Sequence, residues 1–437
     1  MAGVLLATVL QAVDGSIVNV AVPHIQRTLQ ASLAQVGWTV TAYVLASAIA
    51  MPLAASIAAR TGMRAYFLGS VIVFTLASAA CGLARSPSEL IGFRVLQGFG
   101  GGALLPLSQG ILMSLFPRER RGTAVALVGL AAVLGPLFGP PLGGLLTDRF
   151  GWPSIFFVNV PLGLLSMFLL FKFLHLPKAG PVRGSLDFAG AALLAGALVS
   201  LQFGCAHHPA LFVPALGLGY LFVRRERSTP FPAVDLTVLR HRALEGTLAA
   251  APLYGIGLYA SVFLAPLLLE RELNLSAAQT GLAMAAGGAM SGIVIMGARP
   301  LLARFRAQAL CQAGALIFAV GMLLLARIAL HGEGEVVLPQ ILRGAGTGLL
   351  YVGMNGFAFA TMPEQDLAIS ASLFYLLRQL GGSVGIALAA GALDSWGQKG
   401  TVGAFVIVAL TAPLSLVPMA AAARRLATPA KAATPLS

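Results

Sequence analysis

The sequence predicts an all-α protein that crosses a membrane many times. Hydrophobic residues make up 58% of the 437-residue chain and charged residues only 10%, and the mean hydropathy is +0.87. Soluble globular domains have a very different balance. Because one spanning helix needs about twenty apolar residues, the length holds many spans with short connections. It leaves no room for a separate enzyme module.

Apolar runs, taken in chain order, predict fourteen spanning helices. Six lie in each half of the chain, and two shorter runs lie between the halves. The second central run is short for a bilayer and contains Pro214, which makes it the weakest span of the set. The predicted spans lie near residues 3–23, 37–59, 65–84, 90–116, 122–147, 154–173, 186–206, 209–223, 244–269, 277–298, 308–330, 336–360, 368–393 and 401–422.

These spans group into four predicted regions. The first six helices form a bundle over residues 1–173, and the last six form a second bundle over 244–423. Helices seven and eight belong to a linker over 174–243, and residues 424–437 form a tail. The predicted fold is therefore two six-helix bundles with two extra central helices.

An internal repeat supports two related halves. A displacement of 246 residues, without a gap, aligns the fourth and fifth spans with spans of the second half. Identities at Gly and Pro are informative because backbone geometry selects those residues. Parallel six-helix halves place a substrate path at their interface near the bilayer midplane. The aligned residues are Arg94, Gln97, Gly98, Gly100, Pro117, Gly135 and Gly139, which match Gln340, Arg343, Gly344, Gly346, Pro363, Gly381 and Gly385.

The basic residues orient the predicted helices. With the N-terminus in the cytoplasm, 19 of the 28 Lys and Arg residues fall in cytoplasmic connections, six fall outside, and three fall within spans. Short cytoplasmic loops are enriched in Lys and Arg, so both termini are predicted to be cytoplasmic. This distribution accounts for the net charge of +13 without nucleic acid as a partner. Omitting both central helices would preserve the orientation, so charge does not separate twelve spans from fourteen.

One acidic residue near the middle of the first span marks a candidate functional site. Asp14 lies in the segment AVDGSIVNVAVP, with Gln11 and Asn19 nearby. A carboxylate in lipid costs about 2.5 kcal/mol or more, so its side chain should face protein or a water-filled cavity. We therefore interpret Asp14 as a candidate functional residue. The alternative is a buried Asp that only bonds to a neighbouring helix.

The fourth span supplies a partner for this acid. Arg94, Gln97, Gly98 and Gly101 share one helix face because their intervals are three, one and three. Pairing with Asp14 is the least costly way to place an arginine in the membrane. Arg94 lies near the outer end of its span, however. A direct pair, a water-bridged pair and an Arg94 that reaches the outer headgroups all remain open.

The fifth span, GLAAVLGPLFGPPLGGLL, predicts a close helix interface. Glycines recur every four residues and leave one face without side chains, while prolines remove backbone donors and bend the helix. Such a face suits both sliding and tight static packing. The residues of this interface are Gly135, Pro136, Gly139, Pro140, Gly143 and Gly144.

Polar residues of the second half predict a cavity wall. They recur at spacings of three and four on one helix and continue on the next helix. Three embedded arginines then accompany one central acid, so the path is cationic unless Asp187, Glu245 or an anionic ligand compensates. The wall consists of Gln340, Arg343, Thr347, Tyr351, Asn355, Tyr375 and Arg378, and the first half contributes Gln11, Asn19 and Gln97.

Taken together, these motifs resemble the major facilitator superfamily, and within it the fourteen-helix drug:proton antiporter branch, the EmrB/QacA family. VDGSIVNVAVP resembles the first-helix motif, FRVLQG the fourth-helix motif associated with proton coupling, and GPLFGPPLGG the antiporter motif. WPSIFFVNVPLG and RQLGGSVG extend the match over nearly the whole chain. The resemblance implies proton coupling through Asp14 and Arg94 and efflux of lipophilic drugs or toxic small molecules across the inner membrane. The proton gradient would be the energy source, with no further cofactor.

The loop between the second and third helices departs from the family pattern. Arg60, Gly62 and Arg64 match it, but Ala59 occupies the usual acidic position and Ala55 that of the leading Gly. The charge latch that an acid provides there is therefore missing or reassigned.

Multidrug export has three alternatives. An exporter of one endogenous metabolite or siderophore would use the same machinery. A nutrient symporter is disfavoured by the antiporter motif, and a sensor would not need embedded charges. No HExxH, CxxC or phosphate-loop pattern indicates a metal or an enzyme. The expected partners are the lipid bilayer, protons and a lipophilic substrate. Relatives in double-membrane bacteria add a periplasmic adaptor and an outer-membrane channel.

Overall fold

The computed structural model is almost entirely helical. It describes residues 1–117, 121–174, 187–206, 209–229, 236–359, 362 and 364–427. Pro363 of the repeat, parts of the predicted linker and most of the predicted tail lie outside these residues. Within the described ranges the α-helices are α1 Ala2–Thr28, α2 Leu33–Thr61, α3 Met63–Gly82, α4 Pro87–Gly101, α5 Leu104–Leu115, α6 Arg121–Phe150, α7 Ser154–Phe157, α8 Asn159–Phe173, α9 Phe188–Ala206, α10 Phe212–Ser228, α11 Arg242–Arg271, α12 Ala277–Met296, α13 Ala298–Arg304, α14 Ala307–His331, α15 Val337–Phe359 and α16 Glu364–Ala427.

The all-α membrane fold predicted from the sequence is confirmed. Among the described residues, 12 helical segments are long and apolar enough to cross a membrane. Two predicted spans fall on helices outside that set. One is α10, which has only 17 residues, and the other is α15, whose hydropathy is lowered by its polar residues. Both are helical, so the structure is consistent with fourteen spans.

The internal repeat extends to the way helices begin. Ser32 caps α2 and forms a reciprocal pair of hydrogen bonds with Gln35. Ser276 caps α12 and forms the same pair with Gln279. Such a capping box satisfies backbone donors that the first helical turn leaves unpaired. Because both boxes sit at the start of the second helix of a half, the two halves share local sequence signals as well as topology.

The last helix, α16, contains two spans that run in opposite directions. In its first part, Gly381 lies against Pro252 and Gly385 lies against Ile256 of α11. Residue numbers therefore increase in the same direction along the two helices, which run parallel here. In its last part, Ala422 lies against Gly246 and Thr411 lies beside Gly257 of α11. Residue numbers therefore increase in opposite directions along the two helices, which run antiparallel here. The chain therefore reverses within α16, as expected for the predicted spans 368–393 and 401–422.

The two halves meet at the ends predicted to lie outside. α6 of the first half packs on α12 of the second, and both Asp148 carboxylate oxygens accept backbone N–H groups at the start of α12. Nearby, buried Glu270 on α11 lies 3.2 Å from His24 Nδ1 and 3.7 Å from Arg27 Nη2, both on α1. These contacts join the two halves at the ends predicted to lie outside.

Candidate proton site and substrate cavity

Asp14 lies at the centre of a buried hydrogen-bond network. Its Oδ2 accepts from Arg94 Nη1 at 2.9 Å, and its Oδ1 accepts from Gln97 Nε2 at 2.8 Å. A third donor, Asn159 Nδ2, lies 2.8 Å from Oδ1. All four side chains are no more than 1% exposed. Of the arrangements the sequence left open, the structure therefore has the direct pair of Asp14 and Arg94.

The guanidinium of Arg94 is held on several sides. Its Nε donates to the Thr39 carbonyl at 3.0 Å, and its Nη1 also donates to Gln97 Oε1 at 2.6 Å. The Tyr43 ring lies 4.2 Å from Cζ, a distance suited to a cation–π contact. These partners draw the side chain inward from the outer part of α4. An Arg94 side chain that extended to the lipid headgroups would lose all of these contacts.

Sequence reasoning missed Asn159 and the tyrosine over Arg94. Asn159 begins α8 and also donates to Ser78 Oγ at 3.0 Å, which in turn donates to the Phe156 carbonyl. The signal was present, because an amide in an apolar span is costly and marks an interior contact. Tyr43 carried no such signal, since an aromatic residue in an apolar helix is ordinary. Only the packing of α2 against α4 identifies it.

The network suits the ionised form of Asp14. A carboxylate accepts hydrogen bonds only, whereas a protonated carboxyl group must also donate one. Arg94 Nη1, Gln97 Nε2 and Asn159 Nδ2 are all donors. A proton on Asp14 would therefore need a separate acceptor, which none of these three groups supplies.

The antiporter-motif face of α6 lies between the two halves. Ser16 Oγ of α1 donates to the Gly135 carbonyl at 2.7 Å, and a Cβ at Gly143 would lie 2.7 Å from the Ile17 carbonyl oxygen. On its other side, the Pro136 and Pro140 carbonyls face Gly288 and Gly281 of α12. The predicted interface thus joins the helix that carries Asp14 to the second half. Gly139 completes it on the α1 side, opposite Ser16, and Gly144 completes it on the α12 side, opposite Ala277.

Replacing Gly144 by Ala is expected to separate the outer ends of the halves. A Cβ there would lie 2.6 Å from the backbone carbonyl carbon of Ala277, and backbone atoms yield only if α12 moves. Spin labels at the exposed outer-end residues Phe150 and Leu330 would report longer distances by double electron–electron resonance. Gly129→Ala on the same helix, where a Cβ meets nothing within 4 Å, is the matched control. Identical distance distributions in both variants would contradict this role.

The predicted cavity residues of the second half divide by exposure. Gln340, Arg343 and Thr347 are buried, at 0%, 5% and 3% exposed. Tyr351, Asn355, Tyr375 and Arg378 are partly exposed. Arg378 lies among aromatic rings, with its Cζ 4.6 Å from the Tyr375 ring and 5.9 Å from the Tyr351 ring.

The remaining predicted site residues lie as follows. Gln11 is buried on α1, and Asn19 Nδ2 donates within its own helix, to the carbonyls of Gly15 and Ser16. Asp187 forms an ion pair with Arg225 Nε at 2.8 Å. That residue therefore does not compensate the second-half arginines.

In the loop that the sequence predicts to be cytoplasmic, Gly62 is the single residue that joins α2 to α3. Its φ of 91° is a conformation that glycine adopts without steric cost. Arg64 Nη2 donates to the Phe171 carbonyl at 2.7 Å, which ties the start of α3 to α8. Arg60 lies in the last turn of α2, next to the exposed Ala59.

The fold and its polar interior define a secondary transporter with two related halves. The family model of the Major Facilitator Superfamily matches residues 4–386. The multidrug export protein EmrB of Escherichia coli (strain K12) is 31% identical over 401 residues, which cover 88% of this chain and 77% of that protein. The multidrug resistance protein B homolog of Mycobacterium tuberculosis (strain ATCC 25618 / H37Rv) is 34% identical over 405 residues, 88% of this chain and 74% of that protein. The fatty acid resistance protein FarB of Neisseria gonorrhoeae is 31% identical over 401 residues, with 88% and 78% covered.

Solved transporters share the fold at lower identity. The xylose transporter XylE from E. coli, in a partially occluded inward open conformation, gives a TM-score of 0.68 at 15% identity and covers 96% of both chains. A POT family transporter in complex with 5-aminolevulinic acid gives 0.73 at 15% identity, with 97% of this chain and 96% of that chain covered. The chain belongs to the Major Facilitator Superfamily and, within it, to the EmrB/QacA branch.

Proposed function

We propose that this protein exports lipophilic small molecules in exchange for protons. The observation that carries this proposal is the buried network around Asp14, in which an ionisable group is bound by donors from α4 and α8. Proton binding removes the negative charge that those donors surround, and α1 also contacts the glycine face of α6. A proton on Asp14 can thus shift the equilibrium between two arrangements of the halves.

The exchange follows from shared occupancy. In our mechanism, a proton binds from outside and a substrate binds from inside, and their binding to the protein is mutually exclusive. Each is therefore released on the side where the other binds. The gradient of protons supplies the energy, and no bound cofactor takes part. The residues of the site then act by changing the conformation of the protein, and they make or break no covalent bond.

The supporting comparisons concern drug export. Relatives at 31–34% identity are named for multidrug export or multidrug resistance, and the chain covers about three quarters of their length. The membrane is proposed to be the bacterial inner membrane, with both termini in the cytoplasm, because that orientation places most basic residues inside. A periplasmic adaptor and an outer-membrane channel are proposed partners on the same family grounds.

Substrate-induced proton release tests this function. Purified protein in a weakly buffered solution is expected to release protons when a transported drug binds, because the drug favours the arrangement in which Asp14 is ionised. A panel of lipophilic cations, anions and neutral antibiotics, read with a pH indicator, would identify the substrates. Proton uptake across the whole panel would contradict the exchange mechanism. Release by a single endogenous metabolite alone would instead favour a narrow exporter.

A further inference from the structure

The second half carries a buried cation that lacks a carboxylate partner. Arg343 is 5% exposed, and its Nε donates to Gln340 Oε1 at 2.8 Å. Within the part of the chain that the structure describes, no carboxylate lies within 4.0 Å of this guanidinium. A guanidinium has five donors and no acceptor, and an uncompensated buried charge is costly. The terminal nitrogens of Arg343 therefore require an acceptor.

Gln340 adds an unpartnered donor to the same place. The residue is fully buried, and its Nε2 has no hydrogen-bond partner among the described residues. In the first half, Gln97 has the same relation to its arginine, since its Oε1 accepts from Arg94. The Nε2 of Gln97, however, donates to Asp14. The second half thus has the same kind of amide–guanidinium pair as the first half, but its amide donor has no acceptor among the described residues.

The packing register shows what replaces the acid. A displacement of 240 residues relates α11 to α1, and it places Tyr254 where the first half has Asp14. The Tyr254 hydroxyl donates to the Thr347 carbonyl at 3.2 Å, so this residue supplies a donor rather than a carboxylate. Two pairs of equivalent contacts define this register. Gly135 lies against Ala12 as Gly381 lies against Pro252, and Gly139 lies against Ser16 as Gly385 lies against Ile256.

The aromatic cover of the first-half arginine is also missing. Gly98 faces the Tyr43 carbonyl, and its counterpart Gly344 faces the Gly287 carbonyl. Gly287 therefore occupies the position that corresponds to Tyr43. A Cβ at Gly287 would lie 2.8 Å from Arg343 Nη2, so the guanidinium lies against bare backbone. The ring that shields Arg94 has no equivalent here.

We propose that Arg343 and Gln340 bind the carboxylate of a lipophilic organic anion, which takes in the second half the place that Asp14 takes in the first. Charge-assisted hydrogen bonds from a guanidinium are among the strongest that a protein offers to a carboxylate. The apolar helices around the pair suit an aliphatic or aromatic body. Arg378, on the next helix, adds positive charge to this half. The assignment names a substrate class for the proposed export function and rests on that function.

Three twelve-carbon probes that differ only in their head group test the site. Binding of dodecanoate, dodecanol and dodecyltrimethylammonium to the full chain in nanodiscs of zwitterionic lipid is measured by calorimetry. Arg343→Gln is expected to weaken dodecanoate binding by about tenfold or more and to leave dodecanol binding nearly unchanged. Gln340→Glu, which supplies the missing carboxylate within the protein, is expected to have the same effect. Arg327→Gln, which removes an exposed charge from the same half, serves as the matched control.

Equal dodecanoate affinity in the wild type and in Arg343→Gln would overturn the assignment. So would competitive displacement of dodecanoate by chloride at moderate concentration, because the site would then be one for small inorganic anions. Export of a lipophilic cation driven by a proton gradient, without dodecanoate binding, would refute the anion site alone. If the wild-type protein exported no compound in response to a proton gradient, the proposed function itself would be refuted.

Discussion

Replacing Asp14 by Asn is expected to abolish proton-driven export. Asparagine has nearly the same shape and keeps an acceptor oxygen for the donors of the site, but it carries no exchangeable charge. Arg94 retains the Thr39 carbonyl, Gln97 Oε1 and the Tyr43 ring, so the helices around the site stay together. In everted membrane vesicles, drug accumulation on acidification of the lumen should fall to the level of vesicles without the protein.

The control for this variant removes an acid that lies elsewhere. Asp394→Asn changes the charge by the same amount at an exposed position near the outer end of the first span within α16, and it should transport as the wild type does. Binding of the drug to purified Asp14→Asn separates lost coupling from lost folding. An Asp14→Asn protein that accumulates drug against a gradient as well as the wild type would show that Asp14 is not the coupling site.

Replacing Arg94 by Ala is expected to damage both coupling and stability. The variant leaves the Asp14 carboxylate buried without its counter-ion, and breaking a buried pair in this way typically costs about 3–5 kcal/mol. It also empties the space under the Tyr43 ring. We expect a lower thermal unfolding midpoint in detergent, no proton-coupled export, and partial retention of substrate binding, since the cavity wall of the second half is untouched.

A double variant tests the electrostatic origin of that loss. Asp14→Asn combined with Arg94→Ala removes both charges, so part of the lost unfolding midpoint should return. Arg85→Ala removes an exposed guanidinium just before α4 and should change stability by at most about 1 kcal/mol. If Arg94→Ala were as stable as the wild type, or if the double variant were the least stable of all, the buried ion pair would not account for the fold of the site.

Much of the architecture was predictable because membrane burial restricts the sequence so strongly. Apolar runs of spanning length predicted helices where the structure has them, and glycines at intervals of four residues predicted the interface that α6 forms. Asp14 and Arg94 were identified for the same reason, since a charge in an apolar helix needs a partner. The fourth helix was less regular than predicted, because the 90–116 span is divided into α4 and α5.

The partners of these residues were harder to predict. Depth along each span left open whether Arg94 reaches Asp14 directly, and the structure has the direct contact. Asn159 and Tyr43 come from helices distant in sequence, at α8 and α2. No periodicity within one helix reveals which neighbour it faces.

The sequence alone determined the class of protein, the two related halves, the acid and the arginines, because hydropathy and intramembrane charge are properties of each segment by itself. Only the tertiary structure decided how those charges are shared. It placed Asp14 within hydrogen-bonding distance of Arg94, Gln97 and Asn159, and it left Arg343 beside Gln340 without a described carboxylate. The physical reason is that charge compensation depends on distances between helices, which packing alone establishes.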